Sequence, residues 1–238
     1  MIVLALDTCD ARGSVAVLRD AAVLRVVAHE TTEDYSSWLL PAVNEVLGLS
    51  GIRMEQVNGY AAAAGPGSFT GVRVGLTAVK AWAEVYGKPI AAVSRLESLA
   101  AEAPETVRWV AAFFNAQREQ VFGAIYHRHG GRLERSGDEM VIAPEKFVEA
   151  AAELAGDQEI CWISMDQECL FSHLAWKARE SRGEKVTRVA SVRAPAIGLL
   201  GAVALREGRF TDALALDANY VRRPDAETFW KGTGDHGR

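Results

Sequence analysis

Apolar positions in this chain gather into short unbroken runs punctuated by polar turns, a pattern that predicts buried strands alternating with helices. Residues 2–6 form the first run and end in Asp7-Thr8, which places a carboxylate at the C-terminal edge of a buried strand. Residues 13–18 and 21–28 follow as two further β-rich segments, with Asp20-Ala21 suited to the turn between them. Ser36 and Ser37 are expected to cap a helix reaching about Leu47, with Pro41 in its first turn and Gly48 and Gly51 ending it. Residues 59–64 read as another buried strand, which empties into Gly65-Pro66-Gly67-Ser68-Phe69-Thr70-Gly71. A helix from about Thr70 to Tyr86 comes next, stopped by Gly87 and Pro89, then a strand over 89–93 and a short helix capped by Ser94. Three strands, a helix, a strand, a helix and a strand imply a mixed sheet with helices packed on it, an α/β layer design.

Glu and Pro interrupt this pattern at residues 102–106. The boundary between a first lobe, 1–103, and a second, 104–230, is expected there. Beyond it the pattern predicts strands over 108–114 and 120–128, helices over 144–154, 167–182 and 195–206, and short strands near Ile160 and Val186. Residues 231–238 are Gly-rich and polar and are expected to fray.

Composition narrows the function classes. With 238 residues and 49% hydrophobic content the chain can bury a sizeable core, as one large domain or two lobes. Its net charge of -5 argues against a dominant basic surface for nucleic acid, although Arg222 and Arg223 sit together near the C-terminus. Cys9, Cys161 and Cys169 are odd in number and lack CxxC spacing, so reduced thiols are expected rather than a disulfide framework or a zinc knuckle. The apolar stretch 194–205 is too short for a bilayer span. Together these features predict a cytoplasmic protein with no membrane association.

The most specific segment is the Gly-rich loop. Its glycines fit neither a dinucleotide fingerprint nor a Walker A loop, since Gly71 follows Gly67 by four and no Gly-Lys-Ser/Thr comes after. A Gly-rich turn between a strand and a helix can hold an anion on backbone N–H groups, which would place Asp7, Gly65, Gly67, Ser68, Thr70, Gly71 and Arg73 near a nucleotide. Alternatively, the glycines allow a tight turn and close packing while Ser68 or Thr70 caps the helix. In the helix itself, Arg73, Thr77, Lys80 and Glu84 form one narrow polar stripe, the reverse of a surface helix. Trp38, Leu39, Val43, Val46 and Leu47 make the preceding helix broadly apolar as well. Pattern alone fits either a helix enclosed within its own domain or an interface.

Residues 4–8 (Leu-Ala-Leu-Asp-Thr), 13–17 (Gly-Ser-Val-Ala-Val), 39–41 (Leu-Leu-Pro) and 65–73 (Gly-Pro-Gly-Ser-Phe-Thr-Gly-Val-Arg) resemble the TsaB (YeaZ) family in order and spacing. Residues 89–94 and Leu96 match its next strand and helix. Asn115-Ala116-Gln117-Arg118 stands where that family has an Asp-Ala-Arg run, and Tyr220-Val221-Arg222 resembles its terminal Tyr-x-Arg. The resemblance implies a two-lobed actin-like ATPase fold, of the ribonuclease H-like kind shared with sugar kinases and Hsp70. It also implies a non-catalytic subunit that supports TsaD in forming threonylcarbamoyladenosine in tRNA, and that pairs with itself when alone. TsaE would be a further partner, and tRNA would be met only through the complex. No cofactor would bind tightly to this chain; ATP or ADP and metal would belong to the complex. The resemblance tips the helix pair toward an interface built from Trp38, Leu39, Val43, Val46, Val72, Leu76, Val79 and Trp82.

Two features bear on catalysis. TsaD-type enzymes carry a His-x-x-x-His metal pair, but among His29, His127, His129, His173 and His236 no two residues are four apart. His127 and His129 share a strand face but lack a third ligand, so no metal site is expected, and neither peptidase nor transferase activity. Asp7 stands where active members of the fold place an acidic residue that helps hold a nucleotide's metal. A small ATP-binding phosphotransferase or ATPase is therefore the alternative, opposed by the lack of an Asp-x-Gly-Gly-type loop in the second half. Gly198 and Gly201 lie in an apolar helix pattern and read as packing positions, and Cys9 reads as a packed thiol.

Overall fold

The computed structural model describes residues 1–30, 32–219 and 221. The first five strands are β1 (Ile2–Asp7), β2 (Ser14–Arg19), β3 (Ala22–Ala28), β4 (Gly59–Ala63) and β5 (Ile90–Val93). They form one sheet in the order β3-β2-β1-β4-β5. β1 runs antiparallel to β2 but parallel to β4, so the sheet is mixed. β1 lies in the middle, which is why its apolar run is unbroken: both of its faces are covered.

Helices α1 (Tyr35–Ser50) and α2 (Phe69–Tyr86) cover the face carrying Leu4, Leu6 and Thr8. Pro41 lies inside α1 rather than in its first turn. It removes the bond to the Ser37 carbonyl, and both residues sit on the solvent side, where water can take that carbonyl. Asp34, not Ser36 or Ser37, holds the N-cap position and makes no side-chain cap bond. The chain passes through Gly48 and ends the helix at Gly51, which adopts φ 64°. α2 begins at Phe69, one residue before the expected start, because Ser68 is the cap: its Oγ accepts from Gly71 N at 3.3 Å.

A second sheet is built from β6 (Trp109–Asn115), β7 (Val121–His129), β8 (Arg132–Arg135), β9 (Met140–Ile142), β10 (Ile160–Ser164) and β11 (Val186–Arg188). Its order is β11-β10-β6-β7-β8, with β9 also pairing with β7. β8 and β9 are short and polar or half-exposed, so the hydrophobic pattern does not announce them. Side chains at 111 and 113 pack under α4 (Pro144–Ala155), where Phe147 is fully buried. The predicted helix over 167–182 is two pieces, α5 (Glu168–Phe171) and α6 (Leu174–Glu180), separated at Ser172-His173.

The sheets exchange cover across the expected boundary. α3 (Arg95–Ala100), which precedes the boundary, packs its Leu96 and Leu99 with Val110, Ala112 and Phe114 of the second sheet. α7 (Ala194–Arg206), far beyond it, returns to the face of the first sheet opposite α1 and α2, where Gly198 meets Leu18 and Ala5, and Gly201 meets Ala61. The spans 1–103 and 104–230 are thus interleaved by two helices. The tail 231–238 lies outside the described residues.

Candidate functional site

A cleft of about 1090 Å³ opens between the end of β1, the Gly-rich loop and the second sheet. Arg12, in the turn between β1 and β2, reaches across it to Asp166 at 2.8 Å. Deeper in, Asp7 and Arg95 are fully buried. Asp7 Oδ1 accepts from Cys9 N at 2.9 Å, and its Oδ2 accepts from Arg95 Nε at 3.0 Å. Nη2 of the same guanidinium meets Asp10 Oδ2 at 2.5 Å, and Phe114 of β6 presents its ring 5.0 Å from Arg95 Cζ. Burial opposes the charge on Arg95, but the carboxylates of Asp7 and Asp10 outweigh it and hold the guanidinium protonated. Cys9, beside them, is pushed well up by burial and then by the charge on Asp7, so it is a protonated thiol.

This arrangement does not fit a nucleotide's metal. Asp7 does not line the cleft, and Arg95 occupies the oxygens that a cation would need. Among the described residues no three His, Cys, Asp or Glu side chains gather as a metal site. The histidines are dispersed. His29 faces the carbonyls of Ala11 and Glu33, His127 lies against the Trp109 ring at 4.4 Å, and His173 pairs with Glu145. His236 is outside the described residues.

The Gly-rich loop is pressed onto the end of β1. A Cβ at Gly67 would come closer than 3.0 Å to the Cys9 carbonyl, and one at Gly71 equally close to the Thr8 carbonyl. Ser68 N donates to Cys9 O at 2.6 Å, and Thr8 Oγ1 donates to Gly71 O at 2.7 Å. Gly71 N is taken by the capping Ser68 Oγ. These donors therefore point inward at the protein rather than out at an anion. Gly65 follows β4 at φ 112°, a conformation open to glycine but not to an L side chain, and its carbonyl receives Arg95 N at 2.8 Å. Thr70 and Arg73 are exposed, and the Arg73 guanidinium lies 3.7 Å over the Phe69 ring. The turn between β6 and β7 also borders the cleft, and Gln117, Arg118 and Glu119 all take left-handed φ values of 60°, 54° and 56°. Tyr220 and Arg222 lie outside the described residues.

The residues expected at the interface lie mostly in the chain's own core. Trp38, Leu39, Val43, Val46, Val72, Leu76 and Val79 are buried in the core over the first sheet, and Trp82 is half-buried with its ring 6.0 Å from that of Tyr60. Both helices lie flat on the sheet, so their broad apolar faces are used within the chain. The large aliphatic side chains they leave to solvent are Leu40 at 54% exposure, Leu49 at 59% and Val85 at 74%. A shallow groove of about 370 Å³ runs between them, with Leu40, Asn44, Arg53, Trp82 and Tyr86 on its walls. Arg95 was missed entirely, although an Arg directly after a capping Ser at a strand-to-helix junction is an unusual place for a cation.

The profile of the family described as TsaD, tRNA N6-adenosine threonylcarbamoyltransferase, matches residues 25–224. The chain is 28% identical over 231 residues to the tRNA threonylcarbamoyladenosine biosynthesis protein TsaB of Bacillus subtilis, spanning 97% of this chain and 98% of that one. Against TsaB of Escherichia coli the identity is 30% over 168 residues, 69% of this chain and 71% of the relative. YeaZ from Pseudomonas aeruginosa superposes with a TM-score of 0.68 at 25% identity, over 91% of this chain and 98% of that one. A hexokinase of the ROK type from Thermus thermophilus does so at 0.51 with 14% identity, over 87% and 100%, a likeness of fold alone. With its paired mixed sheets, its interleaved helices and the Gly-rich loop seated on β1, the chain belongs to the TsaB (YeaZ) family and has the actin-like ATPase fold.

Proposed function

We propose that this chain acts in the biosynthesis of threonylcarbamoyladenosine in tRNA as a non-catalytic subunit that docks on TsaD. The kinship with TsaB proteins over nearly the whole chain carries the biosynthetic role. The observation behind a docking role is the exposed surface of α1 and α2: Leu40, on the wall of the groove, and Leu49 and Val85, outside its lining, remain in water although the same helices bury every other large aliphatic side chain in part or whole. The salt-linked Asp7 supports a subunit without its own nucleotide chemistry, with ATP or ADP and metal belonging to the assembled complex. TsaE would join that complex, and tRNA would be met through it. Without TsaD the same apolar face would pair with a second copy.

Light scattering after size exclusion tests this directly, on the chain alone and mixed with TsaD of the same organism. A homodimer that converts to a mixed complex is expected. Val85→Glu should abolish both associations while shifting stability by no more than about 0.5 kcal/mol, because the side chain is mostly in solvent. A chain indifferent to TsaD, or one that makes the modified nucleoside without it, overturns the reading.

A further inference from the structure

We propose that Arg95 is a resident cation: its guanidinium stands between Asp7 and Asp10 where a divalent metal ion would otherwise sit, and holds the cleft in one shape without a ligand. The stoichiometry is the first argument. One guanidinium serves two carboxylates, at 3.0 Å and 2.5 Å, so the cluster keeps one negative charge. Asp7 ends β1 and Asp10 follows three residues later, and each turns an oxygen toward a different nitrogen of the same guanidinium, Nε and Nη2. Oxygen donors converging in this way suit a hard divalent cation, with water completing the shell.

The second argument is the route by which the cation arrives. Arg95 N is fixed to Gly65 O at 2.8 Å, so the strand-to-helix junction aims the side chain inward. There the guanidinium meets the second sheet as well, with the Phe114 ring at 5.0 Å and Met165 Sδ at 3.8 Å from Nη2. One buried side chain therefore touches both walls of the cleft. Its Nη1 is buried without a hydrogen-bond partner, which marks a group placed for its charge and position rather than for a full set of hydrogen bonds. A covalently tethered charge thus links the two walls without a ligand.

The test uses the full-length chain with Mn²⁺ as the probe, read by electron paramagnetic resonance and by thermal unfolding. Wild type should bind no Mn²⁺ through Asp7, and its melting temperature should not move with the ion. Arg95→Gln removes the charge and should gain a Mn²⁺ site at least about tenfold tighter than anything in wild type. Mn²⁺ should raise the melting temperature of this variant, or fold it if it is unfolded without the ion. Arg95→Lys retains a tethered cation and should stay metal-free, and Arg95→Gln combined with Asp7→Asn should lose the gained site. An Asp7-dependent Mn²⁺ site in wild type overturns the proposal. So does an Arg95→Gln variant that Mn²⁺ neither binds, stabilises nor folds.

Discussion

Replacing Asp7 by Ala distinguishes a structural carboxylate from a ligand-holding one by the sign of its effect on stability. A carboxylate kept for a metal is unpaired in the free protein, and its removal leaves stability unchanged or improves it. Asp7 instead pairs with a buried arginine and accepts from Cys9 N. Removing one partner of a buried pair costs about 3–5 kcal/mol, because the other charge is stranded. Asp10 remains on the guanidinium with a side chain 28% exposed, so the low end, about 3 kcal/mol, applies here. The orphaned Cys9 N–H adds about 1 kcal/mol. A total of about 4 kcal/mol corresponds to a fall in melting temperature of roughly 8–16 °C for a chain of this size. Urea and thermal unfolding at neutral pH would measure it. Asp7→Asn keeps an oxygen for Cys9 N and should fall less. A variant within about 0.5 kcal/mol of wild type would refute the buried pair. If it also lost Mg-ATP binding, the ATPase reading would replace the structural one.

The other predictions concern packing and thiol chemistry. Gly71→Ala drives a methyl group into the Thr8 carbonyl, a backbone atom that cannot rotate away, and should cost about 2–3 kcal/mol in urea unfolding. Burial pushes the Cys169 thiol up to about 12 and raises Cys9 and Cys161 as well. At pH 8 the native chain should therefore react with a disulfide reagent far more slowly than the urea-unfolded chain does; fast native labelling of Cys9 would contradict its burial.

Much of the fold was legible because the central strands are enclosed on both sides. Residues 2–6 and 59–63 must be apolar at every position, and such runs are visible without coordinates. Caps were legible where a side chain closes the helix, as Ser94 does, and as Ser68 does at a site where the sequence left Ser68 and Thr70 as alternatives. They were misread at Asp34, where no side chain caps. β8 and β9 escaped because they lie at the margin of the second sheet with little apolar surface to bury.

By itself the sequence determined the layer design, the family and the lack of a paired-histidine motif, since each rests on local runs, spacings or residue identity. Tertiary structure alone decided which apolar helix residues are core and which are surface. A helix lying flat on a sheet buries its side chains according to its axial rotation, so Leu76 is enclosed while Val85, nine residues on, stands in water. The fate of Asp7 was decided in the same way. Its role depends on Arg95, 88 residues away in the chain, and no local pattern records a contact between residues so far apart.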